Sequence, residues 1–120
     1  MQILGIKTIV PLFTDNVEES IEFYKKIGFN VIGDNKLSFE NTKTEINIYK
    51  VFNDKTQSIL GQQSADIFFI SIEIEGLENY KEYLKLNNVI IEDIQNPPIG
   101  EYLYIRDPNG NRICIYEKYI

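Results

Sequence analysis

Near the C-terminal end, even-numbered positions collect the side chains with the most chemistry in this sequence: Tyr102, Tyr104, Arg106, Arg112, Cys114 and Tyr116. In a strand, residues two apart share a face, so these six line one surface while Leu103, Ile105, Ile113 and Ile115 line the other. The intervening Asp107-Pro108-Asn109-Gly110-Asn111 reads as a hairpin turn, with Asp and Pro opening it and Asn-Gly supplying positive φ angles. Two further runs split the same way. In the first, Glu45, Asn47 and Tyr49 alternate with Ile46 and Ile48; in the second, Phe69, Ser71 and Glu73 alternate with Phe68, Ile70, Ile72 and Ile74. A face of tyrosines, one phenylalanine and a few charges suits stacking on, and hydrogen bonding to, a planar or amphipathic organic molecule. Tyrosine is also a good strand former, which gives the same face a purely structural reading.

The residues for acid–base or nucleophilic chemistry are sparse. The chain contains no histidine and one cysteine. Cys114 reads as a small strand residue, since no imidazole is present to activate its thiol. A carboxylate-only site for Mg²⁺ or Mn²⁺ would draw on Glu45 and Glu73, which share strand parity with Asn47 and Phe69. Strand acids are more often solvated or paired, so this stands as the alternative to a metal-free site.

Positioning these side chains takes a repeated unit. Ile6 to Phe13 reads as a strand, Asp15-Asn16 as a helix cap, and Val17 to Ile27 as a helix stopped by Gly28. Three strands follow, over 29–33, 36–40 and 44–51. The pattern then recurs: a strand over 67–74, a helix over 77–86 after Gly76, a strand over 89–94, and the closing hairpin. Setting Val17 against Leu77 superposes Glu18 on Glu78, Glu22 on Glu82 and Lys25 on Lys85, which indicates two copies of a βαβββ module about 60 residues apart. The organisation expected is one domain over residues 1–120, with module one at about 6–51, a polar connection at 52–65 that suits a lid, an arm or a linker, and module two at about 66–118. Gln95-Asn96-Pro97-Pro98-Ile99-Gly100 interrupts the second module, because proline removes ladder donors.

Charge and composition exclude several classes of partner. At −6 the chain lacks the clustered Lys and Arg that nucleic acid or an anionic membrane requires. No apolar run approaches the roughly 20 residues that span a bilayer. The beginning of the sequence lacks the features of a secretory leader, and a lone cysteine fits a reducing compartment, so the expected location is cytoplasmic.

Val10-Pro11-Leu12, then Asp15-Asn16-Val17-Glu18-Glu19-Ser20-Ile21-Glu22-Phe23-Tyr24-Lys25-Lys26-Ile27-Gly28-Phe29, and finally Arg106-Asp107-Pro108-Asn109-Gly110-Asn111 together resemble the glyoxalase / bleomycin-resistance / extradiol-dioxygenase group, the vicinal oxygen chelate superfamily. The resemblance implies an α+β fold in which two βαβββ modules form a curled mixed sheet around a cavity. In enzymes of this group metal ligands, usually His, Gln or Glu, sit on four strands facing that cavity. Carried over by offset, those positions are Thr8, Asn47, Phe69 and Cys114 here, and none is a carboxylate or imidazole. Sharing parity with them, Tyr49, Tyr102, Tyr104, Arg112 and Tyr116 complete the expected ligand face.

The function expected is that of a small-molecule binding protein similar to the metal-free bleomycin-resistance proteins, sequestering an antibiotic or toxic compound that is aromatic or cationic, with no cofactor. It would act as a homodimer, without a nucleic-acid or membrane partner. The alternative is a divalent-metal-dependent lyase, isomerase or dioxygenase of the same superfamily with atypical ligands; the missing ligands and base weigh toward binding rather than catalysis.

Overall fold

The computed structural model describes residues 1–39, 42–51, 68–95 and 100–118, without the side chains of Phe68, Asp93 and Gln95. The expected connection at 52–65 and the Pro97-Pro98 interruption therefore lie outside the described residues. The chain divides into two compact units, Met1–Ile59 and Leu60–Ile120.

In the first unit, strand β1 (Thr8–Thr14) leads into helix α1 (Val17–Lys26), followed by β2 (Asn30–Gly33), β3 (Lys36–Ser38) and β4 (Thr44–Lys50). The sheet order is β1-β4-β3-β2, with β1 and β4 parallel and the other pairs antiparallel. The second unit repeats this plan with β5 (Phe68–Glu73), helix α2 (Leu77–Leu86), β6 (Asp93–Gln95), β7 (Gly100–Arg106) and β8 (Arg112–Lys118) in the order β5-β8-β7-β6. The two βαβββ modules expected from the sequence are present as two separate four-stranded sheets.

Each helix is set by its ends. Asn16 accepts from the backbone N–H of Glu19 at 3.1 Å, and its own amide donates to the Glu19 carboxylate at 3.3 Å, so one orphan donor is satisfied and the first turn is braced. Gly76 precedes α2 in a left-handed conformation and has no capping side chain of its own. The cap comes instead from Glu117 on β8, whose carboxylate accepts from Gly76 N–H at 2.8 Å and Leu77 N–H at 3.2 Å.

At the C-terminal ends the two helices agree closely. Gly28 (φ +115°) and Asn88 (φ +61°) supply the left-handed residue. Phe29 N–H reaches Tyr24 C=O at 2.9 Å, and Val89 N–H reaches Leu84 C=O at the same distance. Both are Schellman ends, and at the first the Tyr24 and Phe29 rings meet edge to face at 5.4 Å. This corrects the strand expected over 89–94: Val89 is consumed by the helix end, and ladder pairing begins only at Asp93.

In the first unit Leu12, Ile46, Ile48 and Leu37 share one sheet face with buried Tyr24 and Ile27 beside them; in the second, Leu103, Ile105, Ile113 and Ile115 are fully buried with Leu77 and Leu84. Each such side chain removed from water contributes about 2 kcal/mol. The Asp107 turn is organised by its carboxylate, which accepts from the backbone of Asn109 and Asn111 and from the Asn111 amide, each at 2.9 Å. Gly110 alone takes a positive φ there, +86°, rather than the Asn-Gly pair. Among the described residues no helix is long and apolar enough to cross a membrane.

Candidate functional site

Strand register in the second unit assigns the face directly, because residues paired across a ladder project to the same side. Tyr102 pairs with Tyr116, Tyr104 with Cys114, and Arg106 with Arg112 across β7–β8; Ser71 pairs with Cys114 and Glu73 with Tyr116 across β5–β8. The other face carries Leu103 with Ile115 and Ile105 with Ile113, as the alternation predicts. Tyr102 and Tyr116 stack at 5.4 Å between ring centroids, 17° from parallel. The Tyr116 hydroxyl donates to Glu73 Oε1 at 3.2 Å, and Lys118 Nζ lies 3.7 Å from the same carboxylate. The Arg112 guanidinium sits 4.0 Å over the Tyr104 ring, a cation–π contact. Glu92 gathers both arginines, at 2.6 Å from Arg106 Nε and 3.9 Å from Arg112 Nε.

This face is mostly satisfied by its own members. Burial pushes the Cys114 thiol above its ordinary value, against the opposing pull of the Ser71 hydrogen bond and the Arg112 charge. At 2% exposure the thiol is sealed, and Tyr104 is 7% exposed beneath its arginine. Tyr102, Arg112 and Tyr116 are half-buried. The Tyr116 phenol is also raised, by burial first and then by its bond to Glu73.

The polar face of the first unit is assigned in the same way. Glu45 stands in register with Ile9 and Ser38, Asn47 with Pro11 and Lys36, and Tyr49 with Phe13. Phe13 and Tyr49 stack at 5.6 Å, 29° from parallel, and Tyr49 is 47% exposed. Glu45 is 5% exposed, yet its counter-ion is the exposed Lys7, at 2.9 Å. Asn47 Oδ1 is buried without a hydrogen-bond partner.

Two expectations change. Thr8 pairs with Thr44, which puts it on the face of Ile46 and Ile48 and not on that of Asn47, because the register of β1 on β4 fixes its phase. The ladder between β5 and β8 slips between Phe68 and Ile70, leaving Phe69 as an extra residue with no ladder partner, so simple alternation does not carry through it. Reading the sequence alone also missed Phe13 and Lys7. Phe13 was legible only once the parallel register with Tyr49 was known, and Lys7 precedes the first strand, where no periodicity applies.

These residues do not fit a divalent metal ion. Of the four positions matched to the family's ligands, Thr8 and Asn47 lie on opposite faces, Phe69 has no donor, and Cys114 is sealed at 2% exposure. Glu45 is paired with Lys7, and Glu73 with Tyr116 and Lys118. Among the described residues no three His, Cys, Asp or Glu side chains gather where they could hold a metal.

A comparison with curated proteins gives no match. Among solved structures, the chain is similar to TnmS3, an antibiotic binding protein from Streptomyces sp. CB03234, at 14% identity with 99% of this chain and 100% of that chain covered and a TM-score of 0.76. UcmS2 gives 18% identity, 95% and 98% coverage and a TM-score of 0.77. A glyoxalase/bleomycin resistance protein from Streptomyces sp. CB03234 gives 15% identity, 92% and 98% coverage and a TM-score of 0.69. At these identities the likeness speaks for the fold alone. The family model described as Glyoxalase/Bleomycin resistance protein/Dioxygenase superfamily matches residues 5–115, and the chain belongs to that superfamily.

Proposed function

We propose that this protein binds a small organic ligand, aromatic or cationic, without a metal ion, and acts by sequestering it. The observation that carries the reading is the Tyr102–Tyr116 stack, half-buried on a face shared with Arg112 and Glu73: an aromatic surface with charged neighbours, in a domain whose matched ligand positions hold no carboxylate or imidazole. Asn47 and Tyr49 extend the same kind of surface in the first unit. TnmS3, similar in fold, is described as an antibiotic binding protein, and a small organic compound is the kind of ligand these faces suit.

A pair of chains belongs to this reading. Within their own sheet β1 and β2 each have one ladder neighbour, and Ile9, Val31 and Ile32 on them are about half exposed, which a second copy would cover. Sedimentation showing only monomer at micromolar concentration would remove that part.

Because the chain has eight tyrosines and no tryptophan, its intrinsic fluorescence is that of tyrosine, and the part that Tyr102 and Tyr116 contribute is read by comparison with a variant lacking them. Chelator-treated protein titrated with planar aromatic cations and glycopeptide antibiotics is expected to show saturable quenching, lost in a Tyr102→Leu/Tyr116→Leu variant. Silent titrations across the panel, with folded protein, would overturn the proposal.

A further inference from the structure

The turn that closes the β7–β8 hairpin carries the one Asn-Gly step in the chain, Asn109-Gly110. Such a step is prone to self-modification: the glycine nitrogen can reach the carbonyl carbon of the asparagine side chain, and no Cβ crowds the approach. Space beside Gly110 is open, with no atom beyond its chain neighbours within 4 Å of where a Cβ would stand, and both residues are half-buried rather than sealed. Asn111 differs. It is fully buried, spends its side-chain amide on Asp107 and precedes the bulky Arg112.

The turn holds the reactive step shut. Gly110 N–H, on the nitrogen that would attack, donates to Asp107 C=O at 3.0 Å. The Asp107 carboxylate fixes both sides of the step, one oxygen accepting from Asn109 N–H and from Asn111 N–H, each at 2.9 Å. Arg106 Nη1 donates to Gly110 C=O at 2.9 Å, and Asp107 N–H to Asn111 C=O at 3.0 Å. Asp107 is 5% exposed, so water competes little for these bonds, and bonds to a charged acceptor are the stronger kind.

We propose that Asn109 is a self-modification site gated by Asp107, converting to aspartate or isoaspartate when the turn opens. On opening, Gly110 N gives its proton to hydroxide and bonds to Asn109 Cγ, while Nδ2 takes a proton back from water and leaves as ammonia. Water then adds to either carbonyl of the cyclic imide and breaks its bond to nitrogen. Opening at Cγ gives aspartate; opening at the main-chain carbonyl gives isoaspartate. The net change exchanges ammonia for water and needs no other reactant. Either product places a new carboxylate beside Asp107. The isoaspartate also lengthens the backbone by one carbon, which mismatches the spacing that joins Arg106 to Gly110 and Asp107 to Asn111. Because Arg106 is also bound to Glu92, the change reaches the arginine cluster on the tyrosine face.

Arg106 and Arg112 bracket the turn, so trypsin releases residues 107–112 as one fragment. Full-length protein is held in mildly alkaline buffer, sampled over days and digested, and the amide, aspartyl and isoaspartyl forms of the fragment are separated by chromatography and mass. The same fragment, released first and then incubated, gives the unrestrained rate. Asn109 in the folded protein is expected to convert at least about tenfold more slowly than in the free fragment, since each reaction must wait for local opening. Asp107→Asn, close in shape but without the charge, is expected to raise the folded-state rate severalfold; the asparagine it introduces cannot close a ring of its own, because Pro108 has no N–H. A folded protein that converts as fast as the free fragment, a fragment that stays unconverted at Asn109, or an Asp107→Asn protein as slow as the unaltered one would overturn the proposal. If Asp107→Asn fails to fold, the unaltered protein in urea below its unfolding transition decides: conversion is expected to rise severalfold there, and a rate that stays flat until global unfolding would contradict gating by the turn.

Discussion

The two units share a backbone plan and differ in how their side chains complete it. Strand order, the parallel first–fourth pairing and the Schellman helix ends coincide, down to Tyr24–Phe29 and Leu84–Val89 at matched positions. The contents diverge. Around Phe29 the first unit builds edge-to-face ring contacts with Tyr24 at 5.4 Å and Phe39 at 5.0 Å, where the second uses aliphatic side chains. Helix α1 is capped locally by Asn16, helix α2 across the fold by Glu117. On the polar faces the second unit stacks Tyr102 on Tyr116, lays Arg112 over Tyr104 and gathers both arginines at Glu92, while the first pairs the buried Glu45 with an exposed lysine. Repetition has kept what the backbone hydrogen bonds require and left the faces free to specialise, which is how a repeated fold comes to hold unlike surfaces.

The sharpest break in the comparison lies at the fifth residue of the helices, where α1 has Ile21 and α2 has Lys81. Lys81 bridges Glu101 and Glu78, with its side chain 11% exposed and that of Glu101 13%. Removing it in Lys81→Ala leaves a buried carboxylate without its counter-ion and should cost about 3 kcal/mol in denaturant unfolding. The exposed Glu22–Lys25 pair of α1 is a counter-example: Lys25→Ala should cost under about 0.5 kcal/mol.

Glycine gives the next contrast. A Cβ on Gly100 would collide with the backbone carbonyl of Glu117, so Gly100→Ala should cost about 2 kcal/mol or more. On Gly33 the same atom would meet Lys36 at an ordinary 3.7 Å, and that alanine should be near neutral. Glu117→Ala should destabilise by about 1–2 kcal/mol, somewhat more than Asn16→Ala at about 1 kcal/mol, because a charged acceptor serves two N–H groups.

The smallest effect separates the two fourth-strand tyrosines. Tyr116→Phe loses the bond to Glu73 and should cost about 0.5 kcal/mol, against no change for Tyr49→Phe. Since the folded Tyr116 phenol is raised, its contribution is complete below the ordinary value near 10 and fades as pH rises past it, so the two variants should converge in stability at strongly alkaline pH.

Alternation made most of this architecture readable in advance. The aliphatic and tyrosine faces of β7 and β8 follow from period two alone, and Gly28 marks the end of α1, as the Asp107 turn marks that of β7, through backbone requirements that few other residues meet. Asn88 escaped notice because asparagine enters the left-handed region less distinctively than glycine, and missing it pushed the β6 expectation four residues early. Glu117 as a cap, Lys7 as a counter-ion and Phe69 as a bulge are pairings across long sequence separations or breaks in period, and a single sequence carries no local signal for either. Thr8 shows the same limit from the other side: its offset from the helix is a resemblance, whereas its face is decided by register with β4.

The central claim is binding without a metal. Tyrosine quenching by planar aromatic cations, measured on chelator-stripped protein and again after adding Mn²⁺, Ni²⁺ or Zn²⁺, tests it most directly. The account predicts the same saturable curve with and without the metals; quenching that appears only once a metal is supplied would contradict it.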